Sequence, residues 1–160
     1  MADAKVLVVM GSDSDFPVME GCFKMLNKFG VGFKATVASA HRTPDKAMSL
    51  ARNAEAEGFK VIIAAAGLAA NTALPVIGVP CKGGALAGVD ALYATVQMPT
   101  GIPVATVAID GGSNAAILAC QMLALSDAEL MQKIKDYKAS LASSLAERDA
   151  RLQQKIAEMN

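Results

Sequence analysis

The chain has 160 residues, enough for one domain with a substantial core. Hydrophobic residues make up 53% of it but aromatic residues only 4%, so Ala, Val, Ile, Leu and Met must do the packing, as in helices laid closely on a sheet. Lys+Arg and Asp+Glu are 15 each, and this zero net charge argues against a general nucleic-acid-binding surface or a polybasic membrane patch.

KVLVVM (5–10) is a continuous apolar run, the pattern of a strand covered on both faces. Gly-Ser-Asp-Ser-Asp follows, and then the spacing predicts a helix over 16–29, with Val18, Cys22, Leu26 and Phe29 on one stripe and Gly30 as its stop. FKATVA (33–38) is a second strand. Thr43 as cap and Pro44 as first residue open a second helix that ends before Gly58. KVIIAAA (60–66), LPVIGVP (74–80) and IPVATVAI (102–109) read as strands three, four and five. Helices of about ten residues near 85–96 and from Ser113 to Leu125 fit the remaining periodicity. Ser126-Asp-Ala-Glu129 is a capping box that opens a last helix.

Strand and helix in alternation predict an α/β fold with a doubly wound parallel sheet, here as one domain: a core over 5–125 and a C-terminal helical extension over 127–160. Leu141, Leu145, Leu152, Ile156 and Met159 recur at roughly helical spacing in that extension, which marks it as an assembly element. The charge-free stretch 61–79 approaches membrane-span length, but its Asn71, Thr72 and Pro75 favour two buried strands with a connection, so no membrane partner is expected. Cys22, Cys81 and Cys120 form no CxxC pair and accompany one histidine, which argues against an N/S metal site and for reduced thiols in a cytoplasmic protein. The opening MADAKVLVVMGSD lacks the basic start and longer apolar run of a secretory signal.

Ligands of such sheets bind outside the carboxyl ends of the strands, where MGSDSD, SAHRTP and AAAG converge. Gly11 allows close backbone approach, and the helix behind it offers N–H groups to a phosphate. The segment is not GxxxxGK[ST] and carries Asp13 and Asp15, which would repel a triphosphate. A sugar monophosphate fits better, with Ser12 and backbone amides on phosphate and a carboxylate on ribose hydroxyls. Asp15 could equally serve only as a helix cap. Arg42 can hold a phosphate and His41 can move a proton, since its ordinary pKa is about 6.5. There is no GxSxG elbow for a serine hydrolase, while a nucleophilic pairing of Cys81 or Cys120 with His41 stays open.

These motifs, with GVDALYATVQMPTGIPVATVAI and NAAILACQML, resemble the class I N5-carboxyaminoimidazole ribonucleotide mutases of de novo purine synthesis over about Lys5–Leu125. The resemblance implies a flavodoxin-like three-layer sandwich, a homo-octamer and no metal, ATP or biotin cofactor. It implies a ribonucleotide monophosphate substrate held by Gly11, Ser12, Asp15, Ser39 and Arg42, with His41 as acid/base. The family's carboxylate leaves N5 as CO2 and is recaptured by C4. N5 gains a proton and C4 loses one, so a single histidine can serve both transfers. The family differs after strand three, where it carries a G-A-G-G-A-A-H-L-P-G-M loop with a second histidine. This chain is about eight residues shorter between Gly67 and Leu68, and the seven residues 67–73 are also few for a parallel crossover. Either a mobile loop belongs at that junction, giving a break beside the pocket, or the loop is lost and with it catalysis. Two other readings follow: a class II enzyme that carboxylates aminoimidazole ribonucleotide with CO2, and a loop-deleted, non-catalytic nucleotide-binding relative.

Overall fold

The two most apolar runs become the two innermost strands of the site-bearing half of the sheet. The computed structural model describes residues 3–65, 72–83 and 85–159. In it β1 (Val6–Met10) and β3 (Val61–Ala65) are buried at every position. β2 (Phe33–Val37), β4 (Val76–Val79) and β5 (Ala105–Thr106) complete a five-stranded, all-parallel sheet of order β2-β1-β3-β4-β5. The helices are α1 (Phe16–Phe29), α2 (Pro44–Asn53), α3 (Val89–Val96), α4 (Gly112–Ala124) and α5 (Ala128–Ala157). This is the flavodoxin-like order, whose switch point lies between β1 and β3.

Side-chain alternation along β1 divides the core. Val6, Val8 and Met10 face Met19, Cys22 and Leu26 of α1 and Ala115, Ala116 and Ala119 of α4. Leu7 and Val9 face Ala47 and Ala51 of α2 on the opposite side. Small residues on α2 and α4 let both helices approach the sheet, as the low aromatic content required. Met10 pairs with Val37 on one side and Ala65 on the other, so β1, β2 and β3 end level with one another. That register brings the turn after β1 and the turn after β2 to one edge of the sheet.

α1 ends as expected, with Gly30 in the left-handed conformation (φ 73) donating its N–H to Leu26 and Asn27 carbonyls. Four local expectations are corrected. β5 is a two-residue ladder rather than an eight-residue strand: it is the sheet edge, Pro103 has no N–H to donate, and β4 offers only four residues to pair with. α3 starts at Val89 rather than 85, because Ala87 (φ 50) and Gly88 (φ 90) are left-handed and cannot continue a right-handed helix. Thr43 precedes α2 but gives it no side-chain cap, since its hydroxyl is bound to Ser39. α5 is capped by Asp127, whose Oδ1 accepts from Leu130 N–H at 3.0 Å; the Ser126 hydroxyl donates back to Leu123 at the end of α4.

β3 and β4 are parallel neighbours joined by the ten residues 66–75. The Gly67–Leu68 junction, where a break was expected, lies outside the described residues. α5 is about 45 Å long at 1.5 Å per residue, yet only Leu130 and Ile134 are buried. Tyr137 packs edge-on against Phe29, with ring centres 5.5 Å apart. Beyond it Leu141, Leu145 and Leu152 are exposed, Leu145 by 68%. No described helix is long and apolar enough to cross a membrane.

Candidate functional site

The turn after β1 is locked by its own side chains. Ser12 and Asp15 form a reciprocal box around a single 3-10 turn, Asp13–Asp15. The Asp15 carboxylate accepts from Ser12 N–H at 2.9 Å, and the Ser12 hydroxyl accepts from Ser14 N–H at 3.3 Å. Ser14 Oγ lies 2.9 Å from the same hydroxyl, which stands 3.1 Å from Asp13 Oδ1. Asp15 therefore stands at the entry to α1 without capping it by a side-chain bond. Its carboxylate is turned to the backbone of Ser12, one of the amides expected to meet a phosphate.

The turn after β2 is held by a second reciprocal pair, Ser39 and Thr43, rather than by a Thr43 helix cap. Ser39 N–H donates to Thr43 Oγ1 at 3.0 Å, Thr43 N–H donates to the Ser39 carbonyl at 2.8 Å, and the Thr43 hydroxyl donates to that carbonyl at 3.1 Å. Ser39 Oγ also accepts from Arg42 N–H at 3.2 Å. The result is a closed loop with Ala40, His41 and Arg42 at its tip and His41 exposed. Lys46, which sequence reasoning did not single out, donates from Nζ to the Val37 carbonyl at 2.6 Å and ties α2 to the end of β2.

One side-chain contact joins the two turns. Arg42 Nη2 donates to the Gly11 carbonyl at 3.3 Å. Gly11 N–H in turn donates to the Ala65 carbonyl at 3.2 Å, anchoring the first turn to the end of β3. The structure thus gathers Gly11, Ser12, Asp15, Ser39, His41 and Arg42 at the switch point. The AAAG segment expected beside them passes at Ala66 outside the described residues.

β4 ends beside β3, with Val79 paired to Ala65, so its exit lies along the same edge of the sheet. Cys81 is half-buried, and its thiol is pushed up to about 11, first by burial and then by the carboxylates of Asp15 and Asp110. The thiol stays protonated at neutral pH and is a poor nucleophile. The buried Cys120 thiol is likewise pushed up, to about 12, by burial, so neither cysteine suits a nucleophilic pair with His41. All three cysteines are free. Among the described residues no group of three or more His, Cys, Asp or Glu side chains could hold a metal ion.

A parallel sheet of flavodoxin-like order, with two self-locked polar turns joined across its switch point, defines a small-molecule-binding α/β protein. Sequence comparison gives the family: its AIR carboxylase model matches residues 5–144, and the chain belongs to that family. The N5-carboxyaminoimidazole ribonucleotide mutase of Thermotoga maritima is 47% identical over 158 aligned positions, covering 94% of this chain and 92% of that protein. The Escherichia coli K12 protein of the same name is 46% identical over 154 positions, covering 90% and 91%. The crystal structure of a serine-to-aspartate variant of Treponema denticola PurE2 superposes with a TM-score of 0.82 at 29% identity, covering 92% of this chain and 96% of that one.

Proposed function

We propose that this chain converts N5-carboxyaminoimidazole ribonucleotide to 4-carboxyaminoimidazole ribonucleotide. The observation that carries the reading is the Arg42–Gly11 hydrogen bond, which sets the His41 turn against the Gly-Ser-Asp turn at the switch point of a member of this family. Arg42 and the Gly11–Ser12 backbone hold the phosphate, Ser39 braces Arg42, and Asp15 accepts from ribose hydroxyls. Phosphate binding releases Ser12 N–H from Asp15 and frees that carboxylate for the sugar. His41 protonates N5 as the N–C bond breaks and CO2 departs. C4 then attacks CO2, and the imidazole takes the C4 proton, so the histidine ends as it began. No metal, ATP or other cofactor enters this scheme.

His41 is exposed in the single chain, whereas CO2 must be kept from escaping. A homo-octamer supplies the cover. Support comes from the exposed apolar residues of α5 and from Val89, Tyr93 and Val96, which stand exposed along α3. The three free thiols fit a cytoplasmic enzyme.

The test offers the protein N5-carboxyaminoimidazole ribonucleotide, or the unsubstituted ribonucleotide with bicarbonate, and follows the 4-carboxy product. Product from the first alone is the expected result. Product from the second at equal or greater rate makes it a carboxylase, and binding with no product from either defeats the proposed reaction.

A further inference from the structure

Asp110 lies in the turn after β5, outside every motif that the proposed reaction uses, in a conformation that needs a reason. Its φ is 58, in the left-handed region that residues other than glycine enter at a cost. Ala87 is the other non-glycine residue there among the described residues. Two hydrogen bonds hold Asp110 in place. Its N–H donates to the Pro80 carbonyl at 2.9 Å, and its Oδ1 accepts from Lys82 N–H at 2.7 Å. Both partners belong to the turn that leaves β4, so Asp110 clamps residues 80–82 from above and below Cys81.

Gly88 also packs closely against that turn. A Cβ there would stand 3.2 Å from the Cys81 carbonyl, 3.1 Å from Lys82 Cα and 2.9 Å from a methyl of Ile109, the residue next to Asp110. The β4 exit therefore meets two left-handed residues, Asp110 and Gly88. Cys81 lies between the two residues that Asp110 holds. It follows Val79, which pairs with Ala65, and the Ala65 carbonyl accepts from Gly11 N–H, so the clamp borders the candidate substrate pocket. The carboxylates of Asp15 and Asp110 both push up the Cys81 thiol.

We propose that Asp110 is a positioning residue for this site: by holding Pro80 and Lys82 it fixes the Cys81 turn at the edge of the pocket and so sets the pocket's fit to the ribonucleotide. Asp110 touches no reacting atom in this scheme. The assignment rests on the proposed reaction for its kinetic consequence but not for the clamp itself, and the two can be tested apart.

The test compares the wild type with D110N and D110G. Asn keeps an oxygen acceptor and tolerates the left-handed backbone, while losing the charge. Gly keeps the backbone conformation without strain and loses the acceptor. D110G should raise KM for N5-carboxyaminoimidazole ribonucleotide by about tenfold or more, the scale of one lost hydrogen bond to a charged group, with kcat within about threefold. D110N should restore KM to within about threefold of wild type. The second readout needs no turnover. Iodoacetamide labelling of Cys81, located by peptide mass, should be about fivefold or more faster in D110G than in D110N, because that pair differs in the acceptor and not in charge. Equal labelling of the two variants overturns the clamp. Faster labelling of D110G with an unchanged KM overturns its role in the site. A wild type without turnover defeats the proposed reaction instead, and labelling alone then judges the clamp.

Discussion

α1 carries the Ser12–Asp15 turn at its start and packs against α4, so the way these helices meet should be felt in the site. Two glycines in that contact make a matched experiment. A Cβ on Gly112 would stand 2.5 Å from the Val18 carbonyl oxygen and 3.5 Å from Met19 Cα, both backbone atoms of α1. Real Cβ atoms essentially never come within 3.0 Å of another heavy atom, so Gly112→Ala must push the helices apart by at least about half an ångström. Such overpacking costs about 1–3 kcal/mol, of which the better helix propensity of Ala returns less than about 1 kcal/mol. With a net cost of about 1–2 kcal/mol, at about 2–4 °C per kcal/mol for a chain of this size, Tm should fall by about 2–8 °C. A Cβ on Gly21 would meet chiefly the Ser113 hydroxyl, and the serine side chain can rotate away. Gly21→Ala should therefore be neutral or stabilising by up to about 1 kcal/mol, the usual gain from replacing a mid-helix glycine. Thermal melts of the two variants decide the matter, and KM for the ribonucleotide should rise in Gly112→Ala alone. A Gly112→Ala protein as stable as wild type, or a Gly21→Ala protein that is worse, would refute the backbone-contact argument.

Arg42→Ala should weaken ribonucleotide binding by about 1.5–3 kcal/mol, roughly tenfold to a hundredfold by calorimetry, the range for a hydrogen bond to a charged group; unchanged affinity would remove Arg42 from the site. Burial pushes the Cys22 and Cys120 thiols up from 9.0 to about 12. The unfolded chain releases these protons from about pH 9 and the folded chain only near pH 12, so each thiol should lower stability by up to 1.36 kcal/mol per pH unit across that window. Urea unfolding at pH 8, 9 and 10 should show this fall, shallower in the Cys22→Ala/Cys120→Ala protein; parallel falls in both would contradict it. Truncation after Ser140 removes Leu141, Leu145 and Leu152, and light scattering should then find a smaller assembly than the full chain forms, whereas an unchanged assembly would defeat the role given to α5.

The parts of the fold legible in the sequence were those with a strong local signal. KVLVVM and KVIIAA read as doubly covered strands and are buried over Val6–Met10 and Val61–Ala65, and Gly30 stops α1 where a left-handed residue is needed. Parts governed by partners distant in the chain were not legible. Nothing local distinguishes Thr43 as a cap from Thr43 as a brace for Ser39 four residues back, because both uses employ the same hydroxyl. Ser126 and Asp127 both suit a cap, and the choice fell to the end of α4, which claims the serine. The strand propensity of IPVATVAI was real, but an edge strand can pair only as far as its neighbour and its proline allow. At the site, His41, Arg42 and the Gly-Ser-Asp turn stood out by residue type and loop position. Cys81 stood out only as a possible nucleophile and Asp110 not at all, since its hold on Lys82 is a bond across 28 positions of sequence.

The most direct test of the account is His41→Asn assayed on N5-carboxyaminoimidazole ribonucleotide, with binding and turnover measured on the same preparation. The account predicts that kcat drops by about 10²-fold or more, as for loss of a general acid/base. The ribonucleotide should still bind with nearly wild-type affinity, because Arg42 and the Gly11–Ser12 turn that hold its phosphate are untouched. Near-normal turnover in that variant would contradict the claim that the exposed histidine at the tip of the Ser39–Thr43 loop moves the protons.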